Sequence, residues 1–554
     1  MKTDVEIAQS SQGLPIREVA QKIGISEDFL EFYGSDKAKL KSTISTQLTN
    51  RPSGNLILVT AMTPTKAGEG KSTTTVGLVD GLAALNQKVM GCLREPSLGP
   101  VFGVKGGATG GGYAQVIPMV DINLHFTGDM HAITAANNLV SAVIDNHLYQ
   151  GNQLNINPNQ ILWRRCMDMN DRALRTVQVS LEGKKSIARE DHFNITVASP
   201  MMAMLCLSKD LQDFKQRVQK SIVAFTYNQK PITIQDLGCA GSVTVLMKDA
   251  IKPNLVQTLE GNPVLIHGGP FANIAHGSNS IIATRTALKL ADYVVTEAGF
   301  GSDLGAQKFM DITCPAGDFK PNAVVLVVTI RALKMHGGMM YEDLKMENLE
   351  ALQRGFSNLE QHLRILSNYQ VPVIVALNRF TSDTQAEINA AQLYCRDNAV
   401  DFEINESWEK GSKGSIALAQ SVVKACSKPS RAVRLFTGDE PIQTKILIIA
   451  QRIYGAQAVS YSELALSQLE QIHSLGLDQL NVCIAKTQSS LSDDPKWLGK
   501  PTGFTLKVSA LHLSVGSDFV VVVAGDMMTM PGLSKDPAAC HIDILEDGTV
   551  IGLF

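Results

Sequence analysis

No stretch of the chain approaches the roughly 18 consecutive apolar residues that a membrane-spanning helix needs, so nothing points to a bilayer-spanning protein. Charge of one sign is missing too: 50 Lys and Arg stand against 53 Asp and Glu, a formal net charge of −3. That balance supplies no general field for nucleic acid or an anionic membrane, and any phosphate has to be bound locally. No C-x-x-C pair occurs. The nine cysteines (92, 166, 206, 239, 314, 395, 426, 483 and 540) are scattered. Such an odd, dispersed set excludes a disulfide frame or a paired-cysteine zinc site and reads as reduced, mostly buried thiols. Short-period repeats and low-complexity tracts are absent as well. The opening residues, Met1 to Glu6, put acids where a signal peptide needs a basic and then an apolar stretch. The expected location is the cytoplasm.

What is present is an ordinary globular composition, 44% hydrophobic and 19% charged, over 554 residues. That length exceeds one hydrophobic core and implies roughly two to four domains. The first 50 residues read as polar and helical, with Ile16, Val19 and Ile23 on one face. Next come the apolar run Leu56-Ile57-Leu58-Val59, a helical stretch from about Ser72 to Leu85, and the run Val89 to Leu93. Strand, helix and strand so close together make a βαβ unit with two parallel, buried strands.

Similar runs recur downstream. Val264-Leu265-Ile266 leads to His267-Gly268-Gly269, and Tyr293 to Thr296 leads to Glu297-Ala298-Gly299. Ala323 to Thr329 leads to Arg331, Lys334 and His336, and Val371 to Leu377 leads to Asn378-Arg379-Phe380. In an open α/β sheet the ligand crevice lies beyond the carboxyl ends of the strands, where these residues would gather. The plainer alternative is that strand ends need turn residues, but several of these are charged or aromatic where a turn needs neither. The fold class is therefore α/β, a mostly parallel P-loop-type sheet flanked by helices. Residues 151–250 give no clear pattern. Beyond about residue 455 short alternating runs such as Phe519 to Val523 and His541 to Ile544 suggest a smaller α+β domain. The expected division is 1–365 for a nucleotide-binding α/β domain with N-terminal helices, 366–455 for a smaller α/β domain, and 456–554.

Between the first strand and its helix lies Thr63-Pro64-Thr65-Lys66-Ala67-Gly68-Glu69-Gly70-Lys71-Ser72-Thr73. The phosphate-loop pattern is G-x-x-x-x-G-K-[ST]; Thr65 replaces the first glycine, while Gly70, Lys71 and Ser72 match. Glycines let backbone N–H groups turn toward phosphates, and the helix start adds its positive dipole end. Lys71 would reach the terminal phosphates of ATP, and the Ser72 hydroxyl would complete the shell of a Mg2+ ion. The alternative is an ordinary glycine-rich strand-to-helix turn.

Arg94-Glu95-Pro96-Ser97-Leu98-Gly99-Pro100, followed by Gly103 to Tyr113 with six glycines, resembles the glycine-rich signature of formate–tetrahydrofolate ligases. Val327 to Gly338 resembles a second signature of that family, and Leu124 to Thr134, His267 to Gly277 and Met528 to Leu533 through Phe554 are similar to it as well. The resemblance runs from about residue 10 to 554 and implies an ATP-dependent ligase. ATP phosphorylates formate, and N10 of tetrahydrofolate attacks the resulting formyl phosphate. It implies that Lys71 serves the phosphate loop and that Arg94 grips formyl phosphate, its planar fork suiting a bidentate phosphate contact. The alternative for Arg94 is a surface ion pair. Glu95 and Asp129 are further candidates for polar contacts to the intermediate or metal.

Phe380 and Trp408 match the family's folate-stacking pair, although either could be a core aromatic on sequence alone. His125, His131, His267, His276 and His336 show no i, i+4 metal spacing and read as structural. The resemblance further implies activation by K+ or NH4+ and a homotetramer, with no nucleic-acid or membrane partner. Lys66 and Thr381 stand where the family usually has prolines, and Thr109 where it has alanine. Lys410-Gly411-Ser412-Lys413-Gly414-Ser415 departs from the family's glycine-rich string, and the added Lys413 could favour an anionic polyglutamate tail. Other readings are a phosphate-loop ligase activating a different carboxylate and a non-catalytic nucleotide switch.

Overall fold

The computed structural model describes residues 3–103, 109–181, 183, 186–525 and 527–553. Residues 104–108 of the glycine-rich string and the terminal Phe554 lie outside these.

A 12-stranded sheet organises most of the chain. Its main strands, in chain order, are β1 (Leu30–Phe32), β2 (Ala38–Leu40), β3 (Asn55–Ala61), β4 (Val89–Leu93) and β5 (Asn254–Thr258). Then come β6 (Pro263–Ile266), β7 (Tyr293–Gly301), β8 (Ala323–Val328), β9 (Val373–Asn378) and β10 (Asp401–Asn405). Their spatial order is β1-β2-β5-β6-β4-β7-β3-β8-β9-β10, and the short hairpin Gly110–Gly111/Ala114–Ile117 attaches to β5. From β6 to β10 every pairing is parallel. The other edge is antiparallel. The expected α/β sheet is therefore present. The first 50 residues differ in part: helices Asp4–Gln9, Ile16–Lys22 and Ile44–Leu48 form, but β1 and β2 make a hairpin on the sheet edge. Residues 366–455 supply β9 and β10 to this same sheet.

Alternation decides which side chains face which layer. Leu56 and Leu58 of β3 join an apolar cluster with Ala283 and Ala287 of α3 (Ile281–Leu290), Leu333 of α4 (Ile330–His336) and Leu352 and Leu359 of α5 (Leu349–Ser367). Ile57, Val59 and Ala61 face the opposite way, onto Leu78, Val79 and Leu82 of α1 (Lys71–Ala84) and Leu418 and Val422 of α6 (Ile416–Ala425). With both faces covered, β3 is apolar at successive positions, which is why its sequence reads as an unbroken run.

The unassigned stretch 151–250 has its own apolar cluster, built on α2 (Asp129–Tyr149) with helices Pro200–Leu207 and Leu211–Lys220. A three-stranded sheet of Ile156–Ile161, Ile222–Thr226 and Pro231–Thr233 accompanies it. Toward the C-terminus, Ala458–Tyr461, Thr505–Ser514, Phe519–Ala524 and Asn481–Ala485 form a four-stranded mixed sheet, and Asp543–Ile544 pairs with Val550–Ile551. Eight of the nine cysteines are buried and all nine are free thiols. Among the described residues no helix is long and apolar enough to cross a membrane.

One buried charge on α1 has a measurable consequence. Asp80 is fully buried; its Oδ1 accepts from Thr258 Oγ1 at 2.5 Å and Asn262 Nδ2 at 2.7 Å, while Oδ2 has no hydrogen-bond partner. Burial, reinforced by nearby Glu260 and opposed by the two hydrogen bonds, pushes its pKa from 3.8 up to about 7. The folded state then holds a proton that the unfolded chain releases. Stability from this group is complete below the unfolded value and is lost as pH rises toward 7, by on the order of 4 kcal/mol. Asp80→Asn keeps the accepting oxygen and removes the charge. Its melting temperature relative to the unsubstituted protein should be about two degrees higher at pH 8 than at pH 5. A difference independent of pH would show that Asp80 does not titrate in this range.

Candidate active site

The chain passes from β3 to β4 across the position that β7 later fills, and β8 lies on β3's other side. Such a reversal of strand order opens a crevice at the carboxyl ends. The loop after β3 enters it. Gly68 and Gly70 have φ of 78° and 68°, values that favour glycine. Gly70 also sits where a Cβ would stand 2.1 Å from Asn378 Nδ2, which donates to the Glu69 carbonyl at 3.1 Å. Glu69 folds back on the loop: its carboxylate accepts from the Thr65 amide at 2.6 Å and from the Thr329 hydroxyl. Thr65, in the first-glycine position, is buried; Lys66 and Ala67 are exposed. Lys71 and Ser72 begin α1.

Ser72 Oγ donates to Glu297 Oε2 at 2.8 Å. Arg94, one residue past β4, places Nη2 3.4 Å from Glu297 Oε1 and donates through Nη1 to the Pro270 carbonyl at 3.2 Å. Glu297 is 1% exposed and belongs to β7, the strand between β3 and β4. Lys71 Nζ donates to the Phe300 carbonyl at 3.3 Å, and Phe300 holds a φ of 57°. A non-glycine residue in that region is strained, as happens at functional sites. At Gly299 a Cβ would stand 2.8 Å from Arg94 Nη1, so glycine is what lets the guanidinium lie across the end of β7. Arg94 and the Ser72 hydroxyl thus meet at the Glu297 carboxylate, and Lys71 is anchored three residues further along β7, at Phe300. Cations and helix-start N–H groups bind anionic phosphate oxygens.

The other sequence-predicted residues divide. Glu95 is buried, and its Oε2 has no hydrogen-bond partner. Burial first, then Asp129 and Asp168, push its pKa well up, against the pull of Lys39. Asp129 does not reach the Lys71 group: it pairs with buried Lys39 at 2.8 Å and accepts from Asn254 Nδ2 at 2.8 Å. Phe380 follows β9 and is half-buried, with the Arg331 guanidinium carbon 3.6 Å from its ring centroid. Trp408 follows β10; its carbonyl accepts from the Tyr113 amide at 2.8 Å, and its ring lies where a Cβ on Gly111 would be 3.3 Å away. The segment carrying it rests directly on α1, because Gly77 and Gly81 leave no side chain between. A Cβ at Gly77 would stand 2.2 Å from Ser407 Cβ, and one at Gly81 would stand 3.0 Å from the Ser415 carbonyl.

Of the charged residues after β8, only Arg331 turns toward a predicted folate residue. Lys334 is buried in an ion pair with Glu387 at 2.8 Å, and His336 donates to the Thr63 carbonyl at 2.9 Å. His267 is engaged at both nitrogens, by Ser280 Oγ at 2.6 Å and the Ala250 carbonyl at 2.7 Å. His125 and His131 are exposed, and His276 is buried with neither ring nitrogen hydrogen-bonded. Sequence reasoning did not single out Glu297 as a site member, and took Glu69 only as one residue of the loop. The signal for Glu297 was its place directly after the apolar run Tyr293 to Thr296. The bracing role of Glu69 carried none, because its folding back depends on Thr329, 260 residues away.

Compared with known families, residues 2–554 match the family described as formate–tetrahydrofolate ligase. The match takes in β3 to β10, the loop at Lys71 and the C-terminal sheet alike. The chain belongs to the formate–tetrahydrofolate ligase family.

Proposed function

We propose that the ATP-dependent ligation of formate to tetrahydrofolate runs here through formyl phosphate, with the chemistry centred on Lys71 and Arg94. The observation that carries this reading is that Ser72 and Arg94 meet at Glu297 while Lys71 is held by Phe300 of the same strand, β7, between β3 and β4. A formate oxygen attacks the terminal phosphorus of ATP, and the bridging oxygen leaves with ADP. N10 of tetrahydrofolate then attacks the formyl carbon, the carbon–oxygen bond to phosphate breaks, and the nitrogen loses its proton to solvent. Phosphorylation is needed because formate alone would have to expel oxide.

In this reading the loop from Thr65 to Ser72, with Lys66, Ala67, Gly68, Glu69 and Gly70 between, lines the triphosphate. Lys71 reaches its terminal phosphates, and Arg94 holds the transferred phosphoryl group against formate. Ser72 Oγ and Glu297 Oε2, 2.8 Å apart at the start of α1, are the hard oxygen donors that Mg2+ takes from protein when phosphates and water complete its shell. Bound there, Mg2+ would neutralise charge on the phosphate oxygens. Phe380 and Trp408, following neighbouring strands β9 and β10, offer the aromatic faces for the pterin. Glu95 supplies a buried acid next to Arg94, and Asp129 acts from behind it through Lys39. A cytoplasmic homotetramer activated by K+ or NH4+, with a C-terminal unit from about residue 456, completes the proposal on the family's pattern; the expected boundary near 365 falls inside the main sheet.

The test is an assay for 10-formyltetrahydrofolate with ATP, Mg2+, formate and tetrahydrofolate, leaving out one component at a time. Product should require all four, and phosphate release should depend on formate and not respond to acetate. Equal release with acetate would point to another carboxylate.

A further inference from the structure

Thr63, two residues past β3 and two before Thr65, has its backbone held by two imidazoles. Its amide donates to His362 Nε2 at 2.8 Å, and its carbonyl accepts from His336 Nε2 at 2.9 Å. Its hydroxyl lies 2.9 Å from His362 Nε2 and 3.1 Å from Asn358 Nδ2. Thr63, Asn358 and His362 are fully buried, and His336 is nearly so.

The partners fix both tautomers. An amide N–H can only donate, so His362 Nε2 is bare, and its Nδ1 carries the hydrogen and donates to Ser302 Oγ at 2.7 Å. A carbonyl can only accept, so His336 Nε2 carries the hydrogen, and its Nδ1 accepts from the Gly499 amide at 3.1 Å. Each ring is satisfied at both nitrogens, in opposite tautomers. Burial agrees, lowering both pKa values to about 4 and keeping the rings neutral.

The outer side of each ring leads to the C-terminal sheet. Gly499, which holds His336, also accepts from Asn358 Nδ2 at 2.7 Å. Ser302, which holds His362, adjoins Asp303, and Asp303 pairs at 2.8 Å with Lys486, just past strand Asn481–Ala485. Both ions of that pair are buried. A strand end needs none of this to close; with both imidazoles bonded at both nitrogens, although Asn358 Oδ1 and Asp303 Oδ1 have no hydrogen-bond partner, the contacts to Thr63 favour one geometry. The geometry held is that of the backbone entering the loop that ends at Lys71.

We propose that His336 and His362 are positioning residues for the nucleotide loop, and that residues 486–499 of the C-terminal unit hold them in register. This rests on the reading of Thr65 to Ser72 as the phosphate loop. In the full-length protein, His336→Ala and His362→Ala should weaken ATP binding at least about tenfold, the loss of a buried hydrogen bond at an anion site. The KM for tetrahydrofolate should stay within about twofold, which a general loss of packing would not allow. Glutamine places an amide near each Nε2, so the Gln variants should recover most of the affinity. Gly499→Ala, whose φ of 71° resists a side chain, should reproduce the defect from the C-terminal side.

Folded Ala variants with unchanged ATP affinity would overturn the proposal. So would parallel losses for ATP and tetrahydrofolate that track melting temperature. Lys71→Ala separates the two levels: if it leaves ATP affinity intact, the loop reading fails and the clamp with it. If it weakens ATP while the histidine variants do not, only the clamp is lost.

Discussion

Lys71→Ala should lower ATP affinity or turnover at least about tenfold, since a charge-assisted hydrogen bond is worth roughly 1.5–3 kcal/mol. Lys71 is the first residue of α1, after two glycines with positive φ, and reaches the Phe300 carbonyl at 3.3 Å. Charge-assisted hydrogen bonds to phosphate oxygens are about twice as strong as neutral ones, and this ammonium is the group placed to make them. Alanine keeps the helix, being its best former, and removes only the charge. Titration of the variant with ATP would show the loss; an unchanged enzyme would defeat the assignment.

Arg94→Lys is expected to separate two activities: ATP binding persists, and most formate-dependent turnover is lost. The guanidinium reaches the Pro270 carbonyl through Nη1 and Glu297 through Nη2. A lysine, as one compact charge, cannot reproduce two parallel contacts in a fixed plane. Calorimetric ATP binding together with formate-dependent phosphate release measures both halves. Full activity in this variant would remove Arg94 from the site.

Much of the sheet could be read from residues alone, for a physical reason. Strands buried on both faces have to be apolar at successive positions, so β3, β4, β6, β8 and β9 stand out as runs. The edge hairpin of β1 and β2 did not, because Glu31, Lys37 and Lys39 interrupt any apolar pattern; Lys39 is buried through its pair with Asp129. The segment 151–250 was opaque because its strands are short and its core is shared with α2, so no single window shows a period.

Lys71, Ser72 and Arg94 were legible from local context: a loop between strand and helix, and a residue just past a strand. Glu297, Glu69 and His362 depend on partners 225, 260 and 299 residues distant, and no local pattern records such pairings. Asp129 shows the converse. A conspicuous acid in a family-like string is held by a buried lysine and Asn254, away from the Lys71 group.

The bare stripe on α1 at Gly77 and Gly81 has an effect on how the two ends of the site move. Interiors are nearly incompressible, and at these points the helix backbone meets Ser407 and Ser415 with no side chain of its own between. A tilt of the helix would displace the chain bearing Trp408 directly instead of being absorbed. The start of α1 and the segment bearing Trp408 are therefore coupled by close contact.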